Sequence, residues 1–217
     1  MTDVARVPAS ATLTRTRVVA VLRARNADEY APVVDALRAG GVLSIELTLS
    51  TPGAIEHLPA LLRRFGDAVE LGVGTVTDVD QAAAALDAGA QFLVTPITAD
   101  AVTRLAVERG VAVFPGGLTP SELFAGWSAG ATAVKVFPAN TVGSGYVSAL
   151  RGPFPEIEVI PSGGVSIANA AEWIRAGAMA VSLGGPLLGD AFAGGDLAAL
   201  TARAAEVRRV VDEAAAA

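Results

Sequence analysis

The chain of 217 residues contains no cysteine, a single histidine and a single lysine. Without cysteine it forms no disulfide and no thiolate metal site. One histidine, His57, excludes a multi-histidine metal centre built from this chain. A Ser-His-Asp triad could use only His57, whose polar context, Ile55-Glu56-His57-Leu58-Pro59, reads as a solvated helix surface. No run of about twenty apolar residues occurs, so no transmembrane span is expected. Positive charge is also scarce: 16 Lys and Arg stand against 22 Asp and Glu, a net charge of −6. Nucleic acid demands a basic face, so no nucleic-acid partner is expected. A small anionic ligand stays open, because a few local donors suffice to hold one. Met1 to Arg17 is rich in Thr, Ala and Arg and lacks the apolar core of a secretory signal. This segment reads as a loose arm, or a short helix covering one end of the fold, on a cytoplasmic protein.

What is present is apolar enough for a large core, at 52% hydrophobic and 18% charged. The length suits one sizeable domain. The single lysine, Lys135, lies in Ala133-Val134-Lys135-Val136-Phe137-Pro138, a β-branched run that reads as a buried strand. All other cations among the 16 Lys and Arg are arginines. Burial pushes a lysine towards its neutral amine, which a guanidinium cannot follow. A neutral amine in an apolar pocket attacks carbonyls and forms a Schiff base. The competing reading is a strand-end lysine that snorkels to water or pairs with a carboxylate.

From residue 18 onward one unit recurs: a short β-branched run, then an Ala/Leu-rich segment of helical period. The strands are expected at 18–23, 43–49, 69–73, 92–95, 111–114, 132–137, 158–160 and 179–183. Asn26 caps the first helix, which ends at Gly40-Gly41, and Pro52 opens the second at a first-turn position. Further helices are expected at about 78–87, 100–109, from Thr119-Pro120-Ser121-Glu122, 145–150, 167–176 and 197–213. Alternation with short connections implies a parallel sheet. Eight units fit a single small (β/α)8 barrel spanning 18–217, preceded by the arm of residues 1–17. An open doubly wound sheet is the rival, but Gly72-Val73-Gly74-Thr75-Val76-Thr77 lacks the third glycine of a dinucleotide loop.

In a barrel the chemistry gathers at the C-terminal ends of the strands. Polar residues in or just after apolar runs are therefore the informative ones. In Leu43-Ser44-Ile45-Glu46-Leu47-Thr48-Leu49, alternation puts Ser44, Glu46, Thr48 and Ser50 on the inner face. Glu46 there needs a partner or a raised pKa, and Lys135 is the candidate partner, in catalysis or in a structural ion pair. Thr75 either binds a carboxylate or carbonyl oxygen or caps the following helix. Gly72 and Gly74 beside it allow backbone or ligand to come close. Arg23 holds a carboxylate or phosphate, or makes a surface ion pair. Ser162-Gly163-Gly164 and Leu183-Gly184-Gly185 follow the last two strands. Paired glycines expose amides to a phosphate, or simply make tight turns.

Several segments together resemble a known family. Glu46-Leu47-Thr48 with Thr51-Pro52, Gly72-Val73-Gly74-Thr75-Val76, Pro115-Gly116, Thr119-Pro120-Ser121-Glu122-Leu123, Lys135-Val136-Phe137-Pro138-Ala139 and Pro161-Ser162-Gly163-Gly164-Val165 occur in order. The set resembles the 2-keto-3-deoxy-6-phosphogluconate (KDPG) aldolases, with their 4-hydroxy-2-oxoglutarate (KHG) and phosphogalactonate relatives. The resemblance implies a class I aldolase, typically trimeric, that needs neither metal nor cofactor. By position it makes Lys135 the Schiff-base lysine and Glu46 the general acid/base. Thr75 would bind the pyruvate carboxylate, with Phe137 and Pro96 lining the pocket. Gly163, Gly164, Gly184 and Gly185 would surround the phosphate, with Arg23. Ser50 stands where many members carry a carboxylate-binding arginine, Asn140 where many carry glutamate, and Gly185 where some carry serine.

The implied reaction is the reversible cleavage of a 2-keto-3-deoxy-6-phospho sugar acid to pyruvate and glyceraldehyde 3-phosphate. Two other classes compete with it. One is a sugar-phosphate isomerase or decarboxylase barrel, using Lys135 and Glu46 without covalent chemistry. The other is an oligomeric scaffold with an unused site.

Overall fold

The computed structural model describes residues 6–216. The expected alternation is present, and every strand pairing is parallel. A curled six-stranded sheet has the order β5-β4-β3-β2-β1-β9, and a three-stranded sheet the order β6-β7-β8. The larger sheet comprises β1 (Val18–Leu22), β2 (Ser44–Thr48), β3 (Glu70–Gly74), β4 (Phe92–Val94), β5 (Ala112–Phe114) and β9 (Val181–Leu183). The smaller comprises β6 (Gly116–Gly117), β7 (Val134–Val136) and β8 (Val159–Pro161). The extra strand has a simple origin. Pro115 carries no N–H, so the ladder breaks between β5 and β6. The Pro115 carbonyl still accepts from Lys135 N at 2.8 Å. At the other junction Val159 O accepts from Met179 N at 2.9 Å, and Ser162 bridges Ser182 in parallel.

Helices occupy the connections, and their starts follow the local sequence. Thr119 and Glu122 form a capping box at α6 (Pro120–Ser128), with Pro120 in the first turn. Asp78 Oδ1 accepts from Gln81 N at the start of α4 (Val79–Asp87). Asp78, rather than Thr75, is therefore the cap of that helix. Asn26 caps a single 3-10 turn, Ala27–Glu29, that leads into α2 (Tyr30–Ala39). The second expected helix begins later than Pro52 suggests. Gly53 is left-handed (φ 78) at the N-cap, and α3 runs Ala54–Phe65. The remaining helices are α1 (Ala11–Thr16), α5 (Asp100–Glu108), α7 (Gly145–Arg151), α8 (Ile167–Arg175), a one-turn α9 (Gly185–Leu188) and α10 (Leu197–Ala216). No helix among the described residues is long and apolar enough to cross a membrane.

Two apolar clusters result from strand alternation. The larger lies between strands and helices and takes Val18, Ala20 and Leu22 of β1 with Ile45 and Leu47 of β2. The smaller lies inside the curl and takes Val19, Phe92, Val94, Phe114 and Ile160. Gly72 is part of this inner packing, because a Cβ there would enter the Phe92 ring. The glycine thus admits a neighbouring side chain, not a ligand. Helix α1 closes the N-terminal end. Ser10 accepts from Leu13 N at 2.9 Å, and Leu13, 2% exposed, joins the inner cluster. Burying a leucine this fully contributes roughly 1.5–3 kcal/mol. With that end filled, the large open space among the described residues lies at the C-terminal ends of the strands.

Candidate active site

A cavity of about 690 Å³ opens at those C-terminal ends. Lys135, central in β7, points into it from between Val134 and Val136, whose side chains belong to the outer core. The residue is 7% exposed, and its Nζ lies 5.1 Å from the Phe137 ring centroid, over the negative face of the ring. Glu46, 1% exposed, enters the same cavity from β2. Burial pushes its carboxyl above the usual range, and the positive charges of Lys135 and Arg23 offset part of that rise. Gly74 on the neighbouring strand makes room for it, since a Cβ there would fall on the Glu46 carboxylate. Among the described residues, no ion pair within 4.0 Å joins Glu46 to Lys135. The expected direct pair is thus absent, and Lys135 acts on Glu46 through its charge alone.

Thr75 lines the wall at the end of β3 with φ 63, a left-handed conformation that a β-branched residue rarely adopts. Such strain is held in place by its surroundings and gathers at functional sites. Pro96 lines the cavity after β4. Its loop is pinned by Thr95, which donates to Ile97 O and accepts from Gly116 N at 3.1 Å. Phe137, 38% exposed, stands against Gly163, where a Cβ would come within 3.1 Å of the ring. Gly163 and Gly164 are both left-handed (φ 83 and 82), so their amides and carbonyls take orientations closed to other residues. Gly184 caps α9, and Gly185 begins it. All four glycines line the cavity, and the space at Gly185 is open. Asn140 packs on Gly164, close to where a Cβ of that glycine would stand.

Arg23 lines the cavity at its exposed rim. The surface ion pair, one of the two readings for this residue, does not form among the described residues; its Nε donates instead to Ser50 Oγ at 2.9 Å. Ser50 is the one expected site residue that does not line the cavity. Among the further lining residues, Arg25, Ser162, Ser182 and Phe192 carry side chains to which the sequence assigned no role. Ser162 and Ser182 are buried, with their hydroxyls 3.3 Å apart across β8 and β9. Ser182 lies within β9 and Ser162 just after β8, and a polar residue in or just after an apolar run is the signal that singles out Glu46. Phe192 enters from the segment after α9, where no strand or helix pattern points to it. His57 lies on α3, 2.6 Å from Asp28 and away from the cavity. Among the described residues no three His, Asp or Glu side chains converge as metal donors.

A buried amine and a buried carboxyl facing one cavity form the constellation of a covalent lyase. The family model for KDPG and KHG aldolases matches residues 9–202. A 2-dehydro-3-deoxy-6-phosphogalactonate aldolase of Escherichia coli K12 is 37% identical over 80% of this chain and 85% of its own length. A 2-dehydro-3-deoxy-phosphogluconate aldolase of Dickeya dadantii is 36% identical over 89% of this chain and 92% of its own. The solved KDPG aldolase of Legionella pneumophila, with pyruvate captured as a covalent carbinolamine, superposes with a TM-score of 0.83. That structure is 28% identical and covers 91% of this chain and 96% of its own. The chain belongs to the KDPG and KHG aldolase family and is a class I, Schiff-base lyase of that kind.

Proposed function

We propose that the chain cleaves 2-keto-3-deoxy-6-phosphogluconate reversibly to pyruvate and glyceraldehyde 3-phosphate, with Lys135 as nucleophile. The observation that carries this is the placement of Lys135 and Glu46 on the floor of one cavity whose rim holds Arg23 and the glycine pairs. Neutral Nζ attacks the C2 carbonyl, and loss of water from the carbinolamine gives a protonated imine. Glu46 takes the proton of the C4 hydroxyl as the C3–C4 bond breaks. The bonding pair flows to the imine nitrogen, giving an enamine and releasing the aldehyde. Protonation of C3 and addition of water then release pyruvate and restore the amine. A carboxyl with a raised pKa suits both directions of proton transfer.

Thr75 binds the substrate carboxylate, Pro96 and Phe137 border the reacting carbons, and Gly163, Gly164, Gly184 and Gly185 receive the phosphate. The amides of Gly163, Gly164 and Gly185 donate to no protein acceptor among the described residues, which supports that last role. The nine strand segments serve as a (β/α)8 barrel in which β5 and β6 count as one strand. The Lys135–Pro115 hydrogen bond and the Ser162–Ser182 bridge support closure. Residues 1–17 are its arm, 18–217 its domain, and the protein works in the cytoplasm as a homotrimer. Exposed Ile97, at 51%, suits an interface between copies.

The 37% identical phosphogalactonate aldolase favours a second substrate, the C4 epimer. Pyruvate release from both phosphorylated epimers and from 4-hydroxy-2-oxoglutarate decides between them. The phosphogluconate acid is expected to give the highest kcat/KM; a higher value for either of the others overturns that choice.

A further inference from the structure

We propose that Ser50 is a positioning residue, which sets the charged head of Arg23 for the outer, phosphorylated end of the substrate. The inference rests on the aldolase reading above and adds to it a specificity device. Three hydrogen bonds form one directed chain. Arg23 Nε donates to Ser50 Oγ at 2.9 Å, Ser50 and Thr48 share a hydrogen bond of 2.9 Å, and Thr48 Oγ1 donates to Leu22 O at 2.9 Å. Arginine only donates, and the single hydroxyl proton of Thr48 is committed to Leu22. The Ser50 proton must therefore point to Thr48, and each hydroxyl accepts once and donates once.

The chain ends on the carbonyl that immediately precedes Arg23, so the side chain is tied back to its own backbone. Thr48, fully buried, anchors the loop at its base. This arrangement occupies Nε and leaves the terminal guanidinium nitrogens for a bidentate anion. No carboxylate competes for Arg23 among the described ion pairs. The position of Arg23 selects the end of the substrate. It follows β1, which pairs with β9, and Val21 lies beneath Gly184. Lys135 lies at the buried floor, so a substrate with C2 on that amine extends its far end towards the exposed rim.

The test compares kcat and KM of the intact enzyme for the phosphorylated substrate and for unphosphorylated 2-keto-3-deoxygluconate, whose far end is a neutral hydroxyl. Ser50→Ala should raise KM for the phosphorylated substrate about tenfold, the scale of one hydrogen bond to a charged group. It should change kcat little and spare the unphosphorylated substrate. Ser50→Thr keeps the hydroxyl and should restore the parent KM. In an Arg23→Ala background, Ser50→Ala should have no further effect, since it acts through that arginine. An unchanged KM in Ser50→Ala, an equal loss on both substrates, or additive losses in the double variant overturns the proposal. Failure of the aldolase reading is separate, because it shows in the parent as a lack of pyruvyl adduct on Lys135.

Discussion

At the scale of single residues, the proposed chemistry rests on two ionisable groups that the fold buries. Burial without a direct partner raises the Glu46 carboxyl, which fixes the sign of its effect on stability. The folded state holds that proton more tightly than the unfolded chain does. Stability is therefore lost as pH rises from the ordinary carboxylate range, near about 4.3, through the folded value. Glu46→Gln removes the charge and the cost of burying it. It is expected to lower kcat by about 10²–10⁴-fold and yet to melt higher than the parent at pH 8, with the difference shrinking towards pH 5. Thermal melts at the two pH values, with kcat alongside, check this. A variant less stable than the parent at pH 8 contradicts the assignment of the raised carboxyl.

At the scale of elements, strands β2, β3 and β7 place the site, and β3 does so by absence of side chains. Gly72 admits the Phe92 ring and Gly74 admits the Glu46 carboxylate. Gly74 is not in a left-handed conformation, so an alanine there meets packing rather than backbone strain. Gly74→Ala is expected to cost about 1–3 kcal/mol of stability by overpacking and to push Glu46 out of place. Its kcat should fall nearly as far as that of Glu46→Gln while the protein stays folded. Full activity in a folded Gly74→Ala protein would show that the position of Glu46 is unimportant.

The identity of most elements was readable from periodicity, because β-branched runs and Ala/Leu-rich segments alternate from residue 18. Element ends were not. β2 is 44–48 where 43–49 was expected, and β7 is 134–136 where 132–137 was expected, since pairing on a curled sheet stops before the apolar run does. β6 escaped because Pro115-Gly116-Gly117 carries turn residues rather than a strand pattern.

At the scale of the whole molecule, one end of the curl is filled and the other is open. Leu13 and the inner aromatic residues close the N-terminal end, and the cavity occupies the other. Lys135 and Glu46 were legible because each is a charged residue set in an apolar run. Ser50 was misplaced because alternation predicts a face only within a strand. The residue lies two positions beyond β2, where the chain has already turned outward. Phe192 was invisible because only tertiary packing brings its segment over the cavity. The proposed homotrimer is checked by light scattering. A particle of three 21.8 kDa chains is expected, and a monomer at working concentration contradicts it.

The proposed reaction requires the lone lysine to form a covalent bond to the substrate carbonyl. Borohydride reduction in the presence of pyruvate, followed by peptide mapping, tests it most directly. A reduced pyruvyl adduct is expected on Lys135, and none in Lys135→Arg, whose guanidinium stays charged. An active enzyme that leaves Lys135 unmodified would contradict it.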